Sequence, residues 1–227
     1  MTEPEALARV RPLYSFHRDL LLAATKPSDE DPLPSATALI ARGTALGIAP
    51  LDLSMGLLQP LLYEVGRLWQ SETLSHTAEA RFTSLVEELL DALLLDQQQR
   101  RPDTHGPPII LSAAMGNRHT IGLRMLGLSL RDAGRDVRII REPIAAGRLV
   151  DLANLVRPYL IGVSISEFAQ LGYLRELRDG VDERGLPVRI LVGGYGTHGM
   201  DDRALPIGVE RFFPTESPDW SHDRLTK

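Results

Sequence analysis

The sequence predicts an all-α bundle followed by an α/β domain built on a doubly wound, five-stranded parallel sheet. Three observations carry this. Up to about Arg101 the apolar residues recur at helical spacing, whereas from Pro108 onward short β-type runs alternate with helical stretches. Between the two regimes lies QQQRRPDTHGPP, a polar stretch ending in Gly-Pro-Pro that no helix continues through. With 227 residues and 43% hydrophobic content, the chain is long enough to bury one or two proper cores.

The helical elements follow in order. Leu7 to Ala24 carries a first apolar stripe, and the Pro-, Asp- and Ser-rich stretch TKPSDEDPLPS then reads as a flexible connection. Ala36 to Leu46 forms a shorter stripe closed by Gly47, and Leu51 to Trp69 a longer one. The clearest is Phe82, Leu85, Val86, Leu89, Leu90, Leu93 and Leu94, spaced i, i+3, i+4, i+7 on one face, with Ser75 as its N-cap. The expected organisation is an N-terminal helix and linker over 1–34, a helical domain over 35–101 and an α/β domain over 108–227.

In the second half PIILSAA precedes a helix from His119 to Ala133, and VRII precedes one near Gly147 to Val156. LIGVSIS then leads into a helix from Glu167 to about Glu183, and VRILVGG and VERFF complete the strands. Continuous apolar strands separated by helices of ten or more residues mean parallel βαβ units with both sheet faces covered, as in flavodoxin-like and Rossmann-like folds. The tail PTESPDWSHDRLTK has no amphipathic stripe to cover the last strand. The N-terminal helix or a second subunit is therefore expected to cover that face.

Composition removes several function classes. The formal net charge of −5 argues against a nucleic-acid surface, which requires clustered Lys and Arg, so any effect on DNA is expected to pass through a partner protein. The absence of cysteine removes disulfides, thiolate metal sites and cysteine nucleophiles. The N-terminus has charges throughout and reads as neither signal peptide nor membrane span, which makes the cytoplasm the expected compartment and no membrane partner expected. No P-loop, nucleophile elbow or paired catalytic carboxylates appear, and His198 near Asp201 and Asp202 reads as a solvated polar turn.

Ligands of open parallel sheets bind outside the carboxyl ends of the strands. Three features fall on that edge: His119 after the first strand, Ser164 and Ser166 after the third, and Gly193-Gly194 after the fourth. Each has a plain alternative. A histidine opening a helix serves as a cap or surface group, serines after a strand satisfy nearby backbone donors, and paired glycines make a turn.

Together these residues resemble the cobalamin-binding domain family. Its signature is an acidic residue, any residue, histidine, two residues and glycine, and in NRHTIG those positions are held by Asn117, His119 and Gly122. The resemblance implies that His119 ligates cobalt from the lower face, displacing the cofactor's own base, with Thr120 beside it in the cofactor site. GVSIS and VGG are similar to the elements that receive the displaced nucleotide tail, which implies hydrogen bonds from Ser164 and Ser166 and close backbone approach at Gly193 and Gly194. Upstream, Leu57 to Leu94 is similar to the helical cap preceding such domains in methionine synthase and in light-sensing cobalamin regulators. Pro60, Val65, Gly66, Trp69 and Glu79 match that cap, and Trp69 and Glu79 are thereby implied in the cofactor's upper face.

The chain departs from the family at named positions. Asn117 replaces a carboxylate that would raise the basicity of the histidine. Gln70 and Ala80 stand where light-sensing relatives carry histidines, and His76, one turn before Ala80, is the expected replacement on that face. Trp69 has the alternative of a buried core aromatic, and His76 that of a solvent-facing histidine. The reading is a non-catalytic sensor that binds adenosylcobalamin or hydroxocobalamin, possible light response included, and acts on a transcription regulator or signalling partner or through homo-oligomerisation. The alternatives are a heme- or biliverdin-binding sensor on the same scaffold, a corrinoid methyl carrier serving methyltransferases, and an adaptor that binds nothing.

Overall fold

The computed structural model describes residues 15–25, 33–100 and 104–212. The expected start of the first helix, most of the linker and the tail beyond Phe212 lie outside these residues. The chain divides into two compact units, Met1–Arg100 and Arg101–Lys227.

The helical unit contains α1 (15–25), α2 (Ala36–Ala45), α3 (Gln59–Gln70) and α4 (His76–Arg100). Ser75 caps α4 as expected, its Oγ accepting from the Ala78 N–H at 3.2 Å. All seven residues of the α4 stripe from Phe82 to Leu94 are buried. At about 1.5–3 kcal/mol per buried large apolar side chain, this stripe is the main stabiliser of the unit. Phe16, Leu20 and Ala24 form the buried face of α1. Arg42 of α2 lies 4.5 Å from the Phe16 ring centroid and pairs with Asp19 at 2.6 Å. The N-terminal helix is therefore a member of the helical unit.

The stripe from Leu51 to Trp69 is not one regular helix. Asp52–Leu58 is a π-helical segment in which the wider turn carries the Gln59 N–H to the Ser54 carbonyl. The cause lies in Pro60, which has no N–H and whose ring would crowd the carbonyl of Gly56 in a regular helix.

The α/β unit contains, in chain order, β1 (His105–Ala113), α5 (Ile121–Asp132), β2 (Arg135–Ile140), α6 (Ala146–Val156), β3 (Leu160–Ser164), α7 (Leu171–Glu183), β4 (Arg189–Gly193) and β5 (Val209–Arg211). All pairings are parallel, in the order β2-β1-β3-β4-β5. Ile110, Ile161, Val163, Ile190 and Val192 form one buried face with Leu149 and Val150 of α6 and Leu174 and Leu177 of α7. Ile109, Leu111 and Leu160 form the other with Leu123 and Leu130 of α5. Gly127 lets α5 close on the sheet, because a Cβ there would stand 2.4 Å from Ile139 Cδ1.

The strand order reverses between β1 and β3. From β1 the chain moves outward to β2, and from β3 it moves the other way to β4, so the loops leaving β1 and β3 diverge and open a crevice at the carboxyl edge. A short 3-10 turn (Phe168–Gln170) precedes α7, and two more (Tyr195–Thr197 and Asp202–Ala204) replace a helix between β4 and β5. No helix among the described residues is long and apolar enough to cross a membrane.

Candidate functional site

The β1–α5 loop, from Ala114 to Thr120, carries the signature residues. Its organiser is Asn117, which is fully buried. Its backbone N–H donates to the Ala114 carbonyl at 2.9 Å. The side-chain Nδ2 donates to the Ser164 carbonyl at 2.9 Å and to Ser164 Oγ at 3.2 Å. The side-chain Oδ1 accepts from the His119 N–H at 2.9 Å, an Asx turn that competes with helical bonding. Here the structure departs from the sequence expectation: α5 starts at Ile121, with Thr120 as its boundary residue, and His119 belongs to the loop.

His119 is exposed, and its ring makes no hydrogen bond among the described residues. It presents a free imidazole from a backbone held on one side by Asn117. Gly122, in the first turn of α5, faces open space, since a Cβ there would meet nothing within 4 Å.

The third and fourth strands deliver their residues beside this loop. Ser164 is in register with Ala113 of β1 and Gly193 of β4. Gly194 has φ +97°, and a Cβ on it would lie 2.4 Å from the Ile165 carbonyl oxygen and 2.8 Å from Ser164 Oγ. Only glycine fits that approach. Gly193 is looser, its nearest neighbour being Phe212 at 3.5 Å. Ser166 is half-buried, its N–H donating to Gln170 Oε1 at 2.7 Å and its Oγ to the same oxygen at 3.4 Å.

Several residues of this edge were not singled out from sequence. Gln170 also donates from Nε2 to the Met115 carbonyl at 3.4 Å, which joins the loops after β1 and β3. Met115, Phe168 and Tyr195, one from each of three successive loops, are 52%, 56% and 70% exposed. Large apolar side chains so exposed are informative when they gather on one edge, and the period of the flanking strands contains no trace of them. His198 sits close to Tyr195, its Nδ1 3.1 Å from the Tyr195 carbonyl, while Asp201 caps the Arg203 N–H and Asp202 pairs with Arg211. No cluster of His, Asp and Glu suited to a metal ion occurs among the described residues.

In the helical unit, the Trp69 and His76 rings are in tilted contact, with centroids 5.2 Å apart at 59°. Trp69 is 39% exposed and is not a core aromatic. Glu79 Oε1 accepts from Thr83 Oγ at 2.8 Å. A groove of about 730 Å³ runs along the neighbouring face of α4, with His76, Ala80, Arg81 and Leu85 on one wall and Pro34 and Ser35 on the other.

Comparison with known proteins agrees with this arrangement. A family model described as a B12 binding domain matches residues 107–216, and a second model of the same description matches residues 34–94. The HTH-type transcriptional repressor CarH of Myxococcus xanthus is 30% identical over 221 residues, spanning 95% of this chain and 68% of that protein. The solved structure of the Methanosarcina barkeri monomethylamine corrinoid protein matches with a TM-score of 0.69 at 16% identity, over 89% of this chain and 92% of that one, a likeness of fold. Signature loop, strand order and helical region thus meet in one conclusion: the chain belongs to the B12-binding domain family, in the form that carries a helical domain ahead of the α/β domain.

Proposed function

We propose that this protein is a cobalamin-dependent regulator in which His119 is the lower axial ligand and the output is contact with another protein. The observation that supports this most directly is the His119 imidazole, exposed and unbonded at the carboxyl edge of the sheet, on a loop pinned by a buried side chain. The donor set suits a corrinoid: one neutral nitrogen ligand, open space beside Gly122, and exposed apolar side chains at Met115, Phe168 and Tyr195 for the flanks of a large ring. A bound corrinoid would supply a cobalt centre able to exchange a ligand in response to a stimulus such as light.

The chain's own residues hold and orient. Asn117 fixes the backbone of His119, Thr120 and Gly122 start the helix beside it, and Ser164, Ser166, Gly193 and Gly194 border the groove for the nucleotide tail. In the helical unit, Trp69, His76 and Glu79 are the residues that the family resemblance implies in cofactor binding, with His76 one turn before Ala80. A two-state response of this kind requires a differential contact in each state. The net charge of −5 favours a protein partner, a transcription regulator or a second copy, over direct DNA contact, and the repressor relative supports a regulatory role.

A second reading, a methyl carrier for a methyltransferase system, draws on the fold likeness to the corrinoid protein.

The test is an absorption spectrum of protein incubated in the dark with adenosylcobalamin, hydroxocobalamin, heme or biliverdin, then desalted and recorded before and after illumination. Expected is retention of cobalamin with its lower base displaced, absent in His119→Ala. Transfer of the methyl group from protein-bound methylcobalamin to a thiolate acceptor, forming the thioether and leaving the reduced corrinoid, would replace the regulator by the carrier. Retention of heme or biliverdin alone would overturn both.

A further inference from the structure

The loop that carries His119 starts from a backbone bond of the Ala114 N–H to the Ser164 carbonyl at 2.9 Å and is anchored at two further points. One is Asn117, bonded to Ser164. The other is the carbonyl of Met115, which accepts from Gln170 Nε2 at 3.4 Å. Gln170 Oε1 meanwhile accepts from the N–H of Ser166 at 2.7 Å and of Glu167 at 3.3 Å. The amide also lies under the Gly116 turn, where a Cβ would stand 3.9 Å from Nε2. Gln170 is followed directly by α7, whose Leu174, Leu177 and Val181 are fully buried. One side chain thus connects a rigid helix, the turn after β3 and the loop after β1.

We propose that Gln170 is a positioning residue that sets the place of His119 by fastening the β1–α5 loop to the start of α7. The proposal rests on the reading of His119 as the lower ligand. Its chemistry needs both halves of a neutral amide: the acceptor holds the β3 turn, and the donor holds the histidine loop. A capping role alone needs only the acceptor. Glutamate separates the two, because an ionised carboxylate still accepts from Ser166 and Glu167 but has no proton for the Met115 carbonyl.

The experiment uses the full chain as wild type, Gln170→Glu, Gln170→Ala and His119→Ala. Amide hydrogen exchange is measured without cofactor, and hydroxocobalamin is titrated by absorbance. Gln170→Glu is expected to keep the unfolding midpoint and the protection of the Ser166 and Glu167 amides. The amides of Asn117 and His119 exchange faster in that variant, and hydroxocobalamin binds about 10-fold more weakly, in the range of lost outer partners of metal ligands. Gln170→Ala loses protection in both loops. Unchanged exchange at Asn117 and His119 in Gln170→Glu would overturn the positioning role whatever the cofactor does. A wild type that takes up no hydroxocobalamin would instead remove the functional reading, while the exchange data still decide the latch.

Discussion

The side-chain amide of Asn117 donates to the carbonyl of Ser164 at 2.9 Å, joining two loops that leave neighbouring strands in opposite directions. The same side chain accepts from the His119 N–H. Asparagine can do both, whereas a carboxylate in its place accepts from His119 and leaves the Ser164 carbonyl without that donor. The departure from the family signature therefore has a structural use: both ends of the amide hold backbone.

Replacing Asn117 by alanine removes its three side-chain hydrogen bonds, at a cost on the order of 2–4 kcal/mol, while the Ser164 carbonyl keeps its bond from the Ala114 N–H. Asn117→Asp keeps the bond to His119 and is expected to cost less, about 1–3 kcal/mol. Urea unfolding of the full chain, followed by far-ultraviolet circular dichroism, measures both. A midpoint for Asn117→Ala equal to wild type would contradict the clamp.

Two glycines of the site are expected to respond oppositely to alanine. Gly194→Ala drives a Cβ into the Ile165 carbonyl at a positive φ and is expected to destabilise by about 2–4 kcal/mol, combining steric crowding and backbone strain. Gly122→Ala meets no neighbour and lies in a helix, where alanine is favoured by about 0.5–1 kcal/mol. Its unfolding temperature should hold or rise while hydroxocobalamin binding weakens, since the added methyl enters the space beside His119. Unimpaired binding would remove Gly122 from the site.

Tyr173 reports on the core beneath the crevice. Burial pushes its phenol up to about 12, partly opposed by a hydrogen bond with Ser112, and its hydroxyl donates to the Ile144 carbonyl at 3.0 Å. The folded protein holds this proton more tightly than the unfolded chain, whose tyrosines titrate near about 10. The contribution is intact below that pH and is lost as pH rises toward about 12. Burial raises Tyr159 in the same direction. Tyr173→Phe should be less stable at neutral pH by about 1 kcal/mol, yet lose stability less steeply in the alkaline range. Parallel alkaline slopes for the two proteins would refute this.

In the helical unit, Ser75→Ala should lower stability by about 1 kcal/mol through loss of the α4 cap, and Ser75→Asp should restore it. Thermal melts of the three proteins provide the comparison, and an alanine variant that melts with wild type would show the cap to be dispensable.

Much of the fold is legible in the sequence. The stripe from Phe82 to Leu94 is buried at every position named, and the continuous apolar runs became parallel strands. Periodicity is a local property, and burial of one face follows from it. His119, Ser164 and Gly194 were legible as well, because residues at strand ends share an edge in any open parallel sheet. The missed elements depend on groups far apart in the chain. Asn117 and Ser164 are 47 residues apart, and Met115 and Gln170 are 55. Their bonds arise only once the strand order brings β1 beside β3, so no window of sequence contains them. Two local features also escape periodicity: the side-chain acceptor of Asn117 that takes the His119 N–H and delays α5, and the tilted contact of Trp69 with His76 across the turn between α3 and α4. Helices and strands follow from local spacing, whereas the hydrogen bonds that hold the histidine follow from which edges the sheet brings together.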